Sequence, residues 1–221
     1  MLLPCREAAK KSGVLDERIK VETDALESET RGLRLRRFVP CRTIVLVGLM
    51  GAGKTKIGRR LAVRLGLPFF DSDQEIEAAA SETIEEIFAN RGERVFRAGE
   101  RRVIARLLKQ PVHVLATGGG AFMDPLTRAF IRKYGVSLWL RADLDTLVQR
   151  VSRRSDRPLL RAGDPRAILA DLIERRYPIY GEADLTIDSG EGSPEATVNR
   201  AIGALSNYPR ALTPPALEFQ E

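Results

Sequence analysis

Two patterns of apolar residues alternate along the chain from about residue 42 to residue 188. Short continuous apolar runs, typical of buried strands, are separated by longer stretches in which apolar residues recur at helical spacing. The predicted strands are the runs TIVLV, LPFF, VHVLAT, VSLWL and DLTID. Helices are expected over residues 53–65, across residues 73–109, after Pro125 and from Asp143. This alternation predicts an α/β domain in which a parallel sheet is covered by helices on both faces.

The two ends of the chain lack this alternation. Residues 1–40 carry many charges of both signs and are weakly periodic, and we interpret them as a flexible N-terminal extension. The core domain is expected to span residues 41–205. Residues 206–221 are rich in proline and have little pattern, so they are predicted to form a flexible C-terminal tail.

The composition favours one globular domain that binds small anions. The chain has 221 residues, of which 43% are hydrophobic and 30% charged, and this is enough for one substantial core. A net charge of +6 would suit a nucleic-acid-binding protein, but the basic residues are spread along the whole chain without an aromatic-basic motif. We therefore expect anionic small molecules as partners and no nucleic acid.

The sequence also bears on the cellular compartment. It contains no apolar stretch of the roughly 18 residues that a membrane span requires. The first 40 residues are too acidic for an organellar transit peptide. Cys5 and Cys41 have no metal-type spacing, which favours a reducing compartment. We expect a monomeric cytoplasmic protein without a membrane partner.

A phosphate-binding loop is the most specific single motif. The segment GLMGAGKT, residues 48–55, matches G-x-x-x-x-G-K-[ST] and lies between a predicted strand and a predicted helix. Its backbone N–H groups and the positive end of the helix dipole suit phosphate oxygens. Lys54 is expected to bind the β- and γ-phosphates, and the Thr55 hydroxyl to ligate Mg²⁺. The predicted nucleotide-binding residues here are Gly51, Ala52, Gly53, Lys54, Thr55 and Lys56.

Two aspartates follow the second predicted strand. Asp71 and Asp73 come directly after the run LPFF, and open α/β sheets bind ligands at the carboxyl ends of their strands. Such a pair suits two tasks, one carboxylate facing the metal and the other an acceptor hydroxyl. Capping of the next helix is an equally good interpretation of either aspartate.

Six short motifs occur in a fixed order, namely GLMGAGKT, DSD, FRAGE, TGGG, RPLL and RRYPIY. In this order and at these spacings they resemble shikimate kinase, over residues 42 to about 188. The resemblance implies a P-loop NTPase fold of the nucleoside-monophosphate-kinase type, with a five-stranded parallel sheet in the order 2-3-1-4-5 flanked by helices. It also implies an enzyme that uses ATP and Mg²⁺ to phosphorylate the 3-hydroxyl of shikimate. The products are shikimate 3-phosphate and ADP, in a step of chorismate and aromatic amino acid biosynthesis.

The resemblance assigns roles at the acceptor site. Asp73 would grip the ring hydroxyls, and Asp71 would bind a water molecule on magnesium. Arg97 and Arg176 would hold the shikimate carboxylate, for which a planar guanidinium is well suited.

Three consecutive glycines follow the apolar run VLA and a threonine. Three glycines in a row have no side chains that could pack, and ordering their backbone costs entropy. Their presence suggests that another group approaches the main chain closely. By the resemblance, Gly118, Gly119 and Gly120 form the floor beneath the shikimate ring. The same stretch lacks a Walker B aspartate, which weakens the interpretation as a motor or an ordinary ATPase.

Residues 150–165 have the composition of a lid, because they combine arginines with glycine and proline between two predicted helices. By the resemblance, Arg157 reaches the transferring phosphoryl group and Arg150 packs near the adenine. Lys54, Asp73 and Arg157 are thus the predicted catalytic residues. A solvated surface loop is the alternative interpretation of this segment.

Four further residues receive structural interpretations. His113 and Trp139 lie in predicted strands and are expected to be core or edge residues. Tyr177 and Tyr180 are candidates for the border of the substrate site, but their spacing also suits a helix that ends at Pro178.

Two other functions stay open as alternatives. A gluconate-type sugar-acid kinase also needs a P-loop and arginines, but it does not predict DSD, TGGG and RRYPIY together. A nucleotide-dependent regulatory or nucleic-acid-binding module would use the basic charge. Such a module predicts salt-sensitive nucleic-acid binding and no acceptor-dependent release of ADP.

Overall fold

The structure, a computed structural model, describes residues 38–152, 164–190 and 192–215. Backbone contacts divide the chain between Phe38 and Val39, and the strands and helices named below belong to the second unit. The strands are β1 (Thr43–Val47), β2 (Phe69–Asp71), β3 (Val114–Ala116), β4 (Gly135–Arg141) and β5 (Leu185–Asp188). The helices are α1 (Lys54–Leu65), α2 (Ser72–Ala80), α3 (Ile84–Leu107), α4 (Pro125–Tyr134), α5 (Leu144–Ser152), α6 (Pro165–Tyr180), α7 (Pro194–Ser206) and α8 (Pro209–Leu212).

The strands form one parallel sheet in the order β2-β3-β1-β4-β5, which confirms the predicted order. β1 lies at the centre, where Leu46 pairs with Ala116 of β3 and with Leu138 of β4. Every residue of β1 is buried, as expected for a strand covered on both faces. Because all the strands are parallel, the residues that follow β1, β2 and β3 meet at one edge of the sheet.

The helix α1 begins and ends at glycines in the left-handed conformation. Gly53 is its N-cap with φ of 92°, and Gly66 closes it with φ of 67° while its N–H bonds the carbonyls of Ala62 and Val63. Midway along the helix, a Cβ on Gly58 would lie 2.6 Å from the ring of Phe69. The absence of a side chain there lets α1 pack closely on the edge strand β2.

The long helix α3 has a defined start and a kink. Thr83 and Glu86 form a capping box at its N-terminus. The backbone leaves helical geometry at Gly92, with φ of 78° and ψ of 167°. The segment after the kink carries Arg97 and Glu100, so the kink sets the direction from which these side chains approach the sheet edge.

The helix α6 continues further than predicted. The spacing of Tyr177 and Tyr180 suggested an end at Pro178, whereas α6 includes Pro178 and ends at Tyr180. Proline removes one backbone donor from the last turn. Tyr180 is fully buried, and its hydroxyl donates a hydrogen bond to Gly119. These tertiary contacts hold the turn that the proline would otherwise weaken.

The C-terminal segment also differs from its prediction. Residues 206–215 belong to the segment predicted as a flexible tail, but they include α8 and a fully buried Ala211. The Tyr208 hydroxyl and Arg210 Nη1 both donate to Asp184 Oδ1, at 2.8 and 2.6 Å. Arg42 Nε donates to the carbonyl of Thr213 at 2.8 Å. Polar side chains of the core thus bind this segment, and hydrophobic periodicity does not reveal such contacts.

Candidate active site

The phosphate-binding loop lies between β1 and α1, as predicted. Gly48, Gly51 and Gly53 have φ of 137°, 83° and 92°, which residues with a side chain rarely adopt. A Cβ on Gly48 would lie 2.7 Å from the carbonyl oxygen of Leu140, and one on Gly51 would lie 3.0 Å from the side chain of Val151. The loop is therefore packed tightly against the end of β4 and against α5.

A pocket of about 430 Å³ opens beside this loop. Its volume is in the range of small-molecule sites. It joins the loop to the strand-end aspartates and to the glycine triplet. The predicted site residues that line it are Gly51, Ala52, Gly53, Lys54, Thr55, Lys56, Asp71, Asp73, Gly119 and Arg150.

Lys54, Thr55 and Asp71 form a polar group at the start of α1. Lys54 Nζ donates to the carbonyls of Gly48 and Leu49, at 2.7 and 2.9 Å. Thr55 Oγ1 donates to Asp71 Oδ2 at 2.8 Å. The other oxygen of Asp71 caps α2 by accepting from the backbone N–H of Asp73 at 3.2 Å. Asp71 therefore both caps α2 and lies beside Thr55, the predicted magnesium ligand.

Asp73 is a half-buried carboxylate on the first turn of α2. Burial raises its pKa above the ordinary range, and the nearby charge of Asp71 adds to the increase, while Lys54 opposes it. A carboxylate with a raised pKa that lines a pocket is suited to accept a hydrogen bond or a proton from a hydroxyl.

Gly118 and Gly120 lie against the ionisable groups of the predicted acceptor site. A Cβ on Gly118 would lie 2.7 Å from Asp73 Oδ1 and 2.9 Å from Glu100 Oε1. A Cβ on Gly120 would lie 2.6 Å from Arg97 Nη1. These glycines thus allow the carboxylates and the guanidinium to approach the main chain, and the structure brings Asp73 and Arg97 to the same triplet.

Gly119 lies between Arg176 and the phosphate-binding loop, where a Cβ would be in ordinary van der Waals contact with both. Arg176 Nη1 donates to the Gly119 carbonyl at 3.0 Å, and the Tyr180 hydroxyl donates to the same oxygen. A Cβ on Gly119 would have its nearest neighbours at 3.7 Å, among them Arg176 Nη1 and the backbone nitrogen of Met50. An added methyl group would therefore occupy the gap between the triplet and the loop.

Glu100 is a site residue that the sequence interpretation did not single out. It is 2% exposed, and its Oε2 accepts from Arg97 Nη1 at 2.8 Å. Burial raises the pKa of Glu100, and the Arg97 charge opposes this increase. Glu93 contacts the same guanidinium at 3.2 Å, so two carboxylates orient it. The available signal was the motif FRAGE, in which Glu100 follows Arg97 by three residues, close to one helical turn.

Arg150 and Ser189 support the loop from the side of β5. Arg150 Nη1 donates to the Gly51 carbonyl at 3.3 Å, and its Nη2 bonds the Ser189 carbonyl. Ser189 Oγ donates to the Ala52 carbonyl at 3.0 Å. The sequence did not identify Ser189 as a site residue, because its position directly after a strand is its only local signal.

The lid prediction lies largely outside the described residues. Of residues 150–165, the structure describes 150–152 and 164–165. Arg157, predicted to reach the transferring phosphoryl group, is not among them.

Within the described ranges, no helix has both the length and the apolar character needed to cross a membrane.

Three comparisons with known proteins identify the family. The shikimate kinase family model matches residues 50–206. A shikimate kinase from Paramagnetospirillum magneticum is 60% identical over 167 residues, which are 76% of this chain and 86% of the relative. One from Caulobacter vibrioides is 56% identical over 164 residues, 74% of this chain and 82% of the relative. A solved structure, shikimate kinase from Acinetobacter baumannii in complex with shikimate, has a TM-score of 0.71 and 39% identity and covers 76% of this chain and 93% of its own. The chain belongs to the shikimate kinase family.

Proposed function

We propose that this chain transfers the γ-phosphoryl group of ATP to the 3-hydroxyl of shikimate, giving shikimate 3-phosphate and ADP. The step belongs to chorismate and aromatic amino acid biosynthesis. The observation that carries the proposal is the glycine triplet, which contacts Asp73, Arg97 and Arg176 and borders the phosphate-binding loop. The complex of the Acinetobacter baumannii relative with shikimate supports the choice of acceptor.

The acceptor carboxylate is bound by Arg97 and Arg176. They come from different helices, α3 and α6, so together they fix the orientation of the ring. Glu93 and Glu100 hold the Arg97 guanidinium in place before substrate arrives, which lowers the entropy cost of binding. Gly118, Gly119 and Gly120 form the floor that lets the ring lie close to the main chain.

Asp73 acts on the acceptor hydroxyl. Its carboxylate accepts the hydrogen bond of the 3-hydroxyl and directs the oxygen toward the γ-phosphorus. As the new O–P bond forms, the bond between the γ-phosphorus and the β,γ-bridging oxygen breaks, and ADP leaves. The hydroxyl proton passes to the Asp73 carboxylate. Positioning and charge neutralisation supply most of the rate enhancement in such transfers.

The nucleotide is bound by the loop and its supports. The backbone N–H groups of residues 51–56 cradle the phosphates, and Lys54 exchanges its carbonyl partners for the β- and γ-phosphate oxygens. Arg150 packs near the adenine. Arg157, by the family resemblance, neutralises charge on the transferring phosphoryl group.

Thr55 and Asp71 suit Mg²⁺. Their oxygens lie 2.8 Å apart beside the loop, and hydroxyl and carboxylate oxygens are the ligands that this ion prefers. Among the described residues, no cluster of three or more His, Cys, Asp or Glu side chains could hold a metal alone. Thr55 would be a direct ligand of the ion and Asp71 would hold it through water, with phosphate and water as its other ligands. When bound, Mg²⁺ neutralises negative charge on the phosphates.

An ADP-release assay with different acceptors tests the proposal. The full chain is incubated with ATP and Mg²⁺ and with shikimate, gluconate or no acceptor. We expect rapid release with shikimate and background release in the other two reactions. Faster release with gluconate would favour the sugar-acid kinase alternative, and equal release in all three would contradict a kinase acting on either acceptor.

We further propose that the protein is a cytoplasmic monomer that binds ATP and shikimate, without nucleic acid or a membrane as partner. The small-molecule pocket and the spread of basic charge support small-molecule partners over nucleic acid. Light scattering after size exclusion should give a mass near 24.6 kDa, and a mass twice as large would contradict it.

A further inference from the structure

We infer that Tyr180 is a positioning residue for the acceptor, because its hydroxyl fixes the carbonyl of Gly119 and with it the glycine floor. The inference rests on the proposed function, since it concerns how the acceptor site of that reaction keeps its shape. It assigns Tyr180 no contact with the reacting atoms.

The hydroxyl of Tyr180 is a buried donor. Tyr180 is the last residue of α6, and its side chain is fully buried. A buried hydroxyl without a partner is costly, and this one donates to the Gly119 carbonyl. Burial raises the pKa of Tyr180 to about 12. The phenol therefore stays protonated at neutral pH and remains a donor to this carbonyl.

Three aromatic rings contact the ring of Tyr180. The Tyr177 ring meets it edge-on with centroids 6.3 Å apart, and the other two stack on it. The Trp139 ring stacks on it with centroids 5.8 Å apart, and the Phe122 ring with centroids 6.3 Å apart. Phe122 lies in the short 3₁₀ turn that follows the glycine triplet. Trp139 lies beside the phosphate-binding loop, since a Cβ on Gly48 would be 3.3 Å from its ring. The Tyr180 hydroxyl is thus positioned by the 3₁₀ turn after the glycine triplet on one side and by β4, beside the phosphate-binding loop, on the other.

The glycine floor needs such external contacts. Glycines have no side chains to anchor them, and they lose more backbone entropy on ordering than other residues. The backbone N–H of Gly118 is held by Ser72 Oγ at 3.0 Å. The Gly119 carbonyl is held by Arg176 at 3.0 Å and by Tyr180. If Arg176 turns toward the acceptor carboxylate, Tyr180 keeps this carbonyl in place, so the arginine can bind substrate without releasing the floor.

Tyr177 offers a matched control on the same helix. It lies three residues before Tyr180, and its ring contacts Trp139 with centroids 4.9 Å apart. Its hydroxyl donates to the carbonyl of Ala142, which follows β4 and is not part of the triplet. Tyr177→Phe removes the same chemical group from the same aromatic cluster without touching the floor.

The test compares Tyr180→Phe and Tyr177→Phe in the full chain. Calorimetric titration gives the Kd for shikimate and for ATP, and steady-state assays give kcat and KM. We expect Tyr180→Phe to raise the Kd and KM for shikimate about two- to tenfold, as loss of one buried hydrogen bond would. The Kd for ATP should stay within about twofold, and Tyr177→Phe should change neither constant beyond that margin.

The outcomes separate this inference from the proposed function. An unchanged shikimate Kd in folded Tyr180→Phe overturns the inference. An equal increase for ATP, an equal effect of Tyr177→Phe, or failure of Tyr180→Phe to fold also overturns it, because each makes the hydroxyl a general determinant of stability. A wild-type protein that releases no ADP with shikimate overturns the proposed function instead, and this inference with it.

Discussion

At the scale of single residues, the groups proposed to bind substrates lie within short segments, whereas the contacts that hold them come from distant parts of the chain. The phosphate-binding loop spans residues 48–55, and Asp71 and Asp73 are two positions apart. Their supports come from far along the chain. Ser189 lies 137 residues from the Ala52 carbonyl that it bonds, and Tyr180 lies 61 residues from Gly119. Such contacts follow from packing, which local spacing does not encode.

The space above Gly119 gives a prediction for the acceptor floor. Gly119→Ala should raise the KM for shikimate at least about fivefold, because a methyl group forced into an occupied site costs about 1–3 kcal/mol. The KM for ATP should change much less. Steady-state kinetics with Gly203→Ala as control checks this, since a Cβ on Gly203 in α7 would meet no atom within 4 Å. An unchanged shikimate KM in folded Gly119→Ala would contradict the floor assignment.

Asp73 gives a prediction that depends on pH. Burial and the charge of Asp71 raise its pKa, so ionising Asp73 costs stability as pH rises through that pKa. Asp73→Asn should therefore melt at a higher temperature than wild type at pH 7, and the difference should shrink as pH falls toward about 3.9, the ordinary aspartate value. Activity should fall by about 100-fold or more. Asp145→Asn is the control, because this carboxylate is 78% exposed. A lower melting temperature for Asp73→Asn at pH 7 would refute this reading of the site.

At the scale of elements, hydrophobic periodicity gave the types and order of the strands and helices but not all of their limits. The run VHVLAT predicted a strand of six residues, and β3 has three. His113 precedes β3 and is buried, as Trp139 is within β4, so the structural interpretation of both residues is confirmed. The kink at Gly92 was not predicted, because apolar spacing continues through it. Only the backbone angles reveal it.

Two glycines of α3 should respond in opposite ways to alanine. Gly92 has φ of 78°, so Gly92→Ala should lower the free energy of unfolding by about 1–3 kcal/mol. Gly99 has helical backbone, and a Cβ there would meet no atom within 4 Å. Gly99→Ala should therefore raise that free energy by up to about 1 kcal/mol. Denaturant unfolding measures both, and a stable Gly92→Ala protein would show that the kink is not required.

At the scale of the whole molecule, the family resemblance predicts the sheet order from the sequence alone. Apolar runs alone predict a parallel α/β sheet, but several strand orders satisfy that pattern. The six motifs reduced the choice to one order, which the structure confirms. The C-terminal segment was not predicted, because its contacts run through Arg42, Asp184 and Arg210, whose polar side chains leave no hydrophobic signature.

Truncation at the two ends should have unequal effects. Deleting residues 1–38 should leave folding and kinase activity nearly intact, because β1 and its partners begin after them. Deleting residues 208–221 should lower the Tm by roughly 5 °C or more, as loss of about 2 kcal/mol does in a domain of this size. The second deletion removes Tyr208 and Arg210 from the half-buried Asp184. Thermal melts of both truncated proteins beside the full chain decide this, and equal stability of all three would contradict it.

The central claim is that the phosphoryl group goes to the 3-hydroxyl of shikimate, and the product itself tests it most directly. The full chain is incubated with ATP, Mg²⁺ and shikimate, and the product is examined by ³¹P–¹H correlation NMR. We expect one phosphomonoester whose phosphorus couples to the proton on C3, formed in equal amount with ADP. A phosphate on another ring carbon, or ADP with inorganic phosphate and unmodified shikimate, would contradict the account.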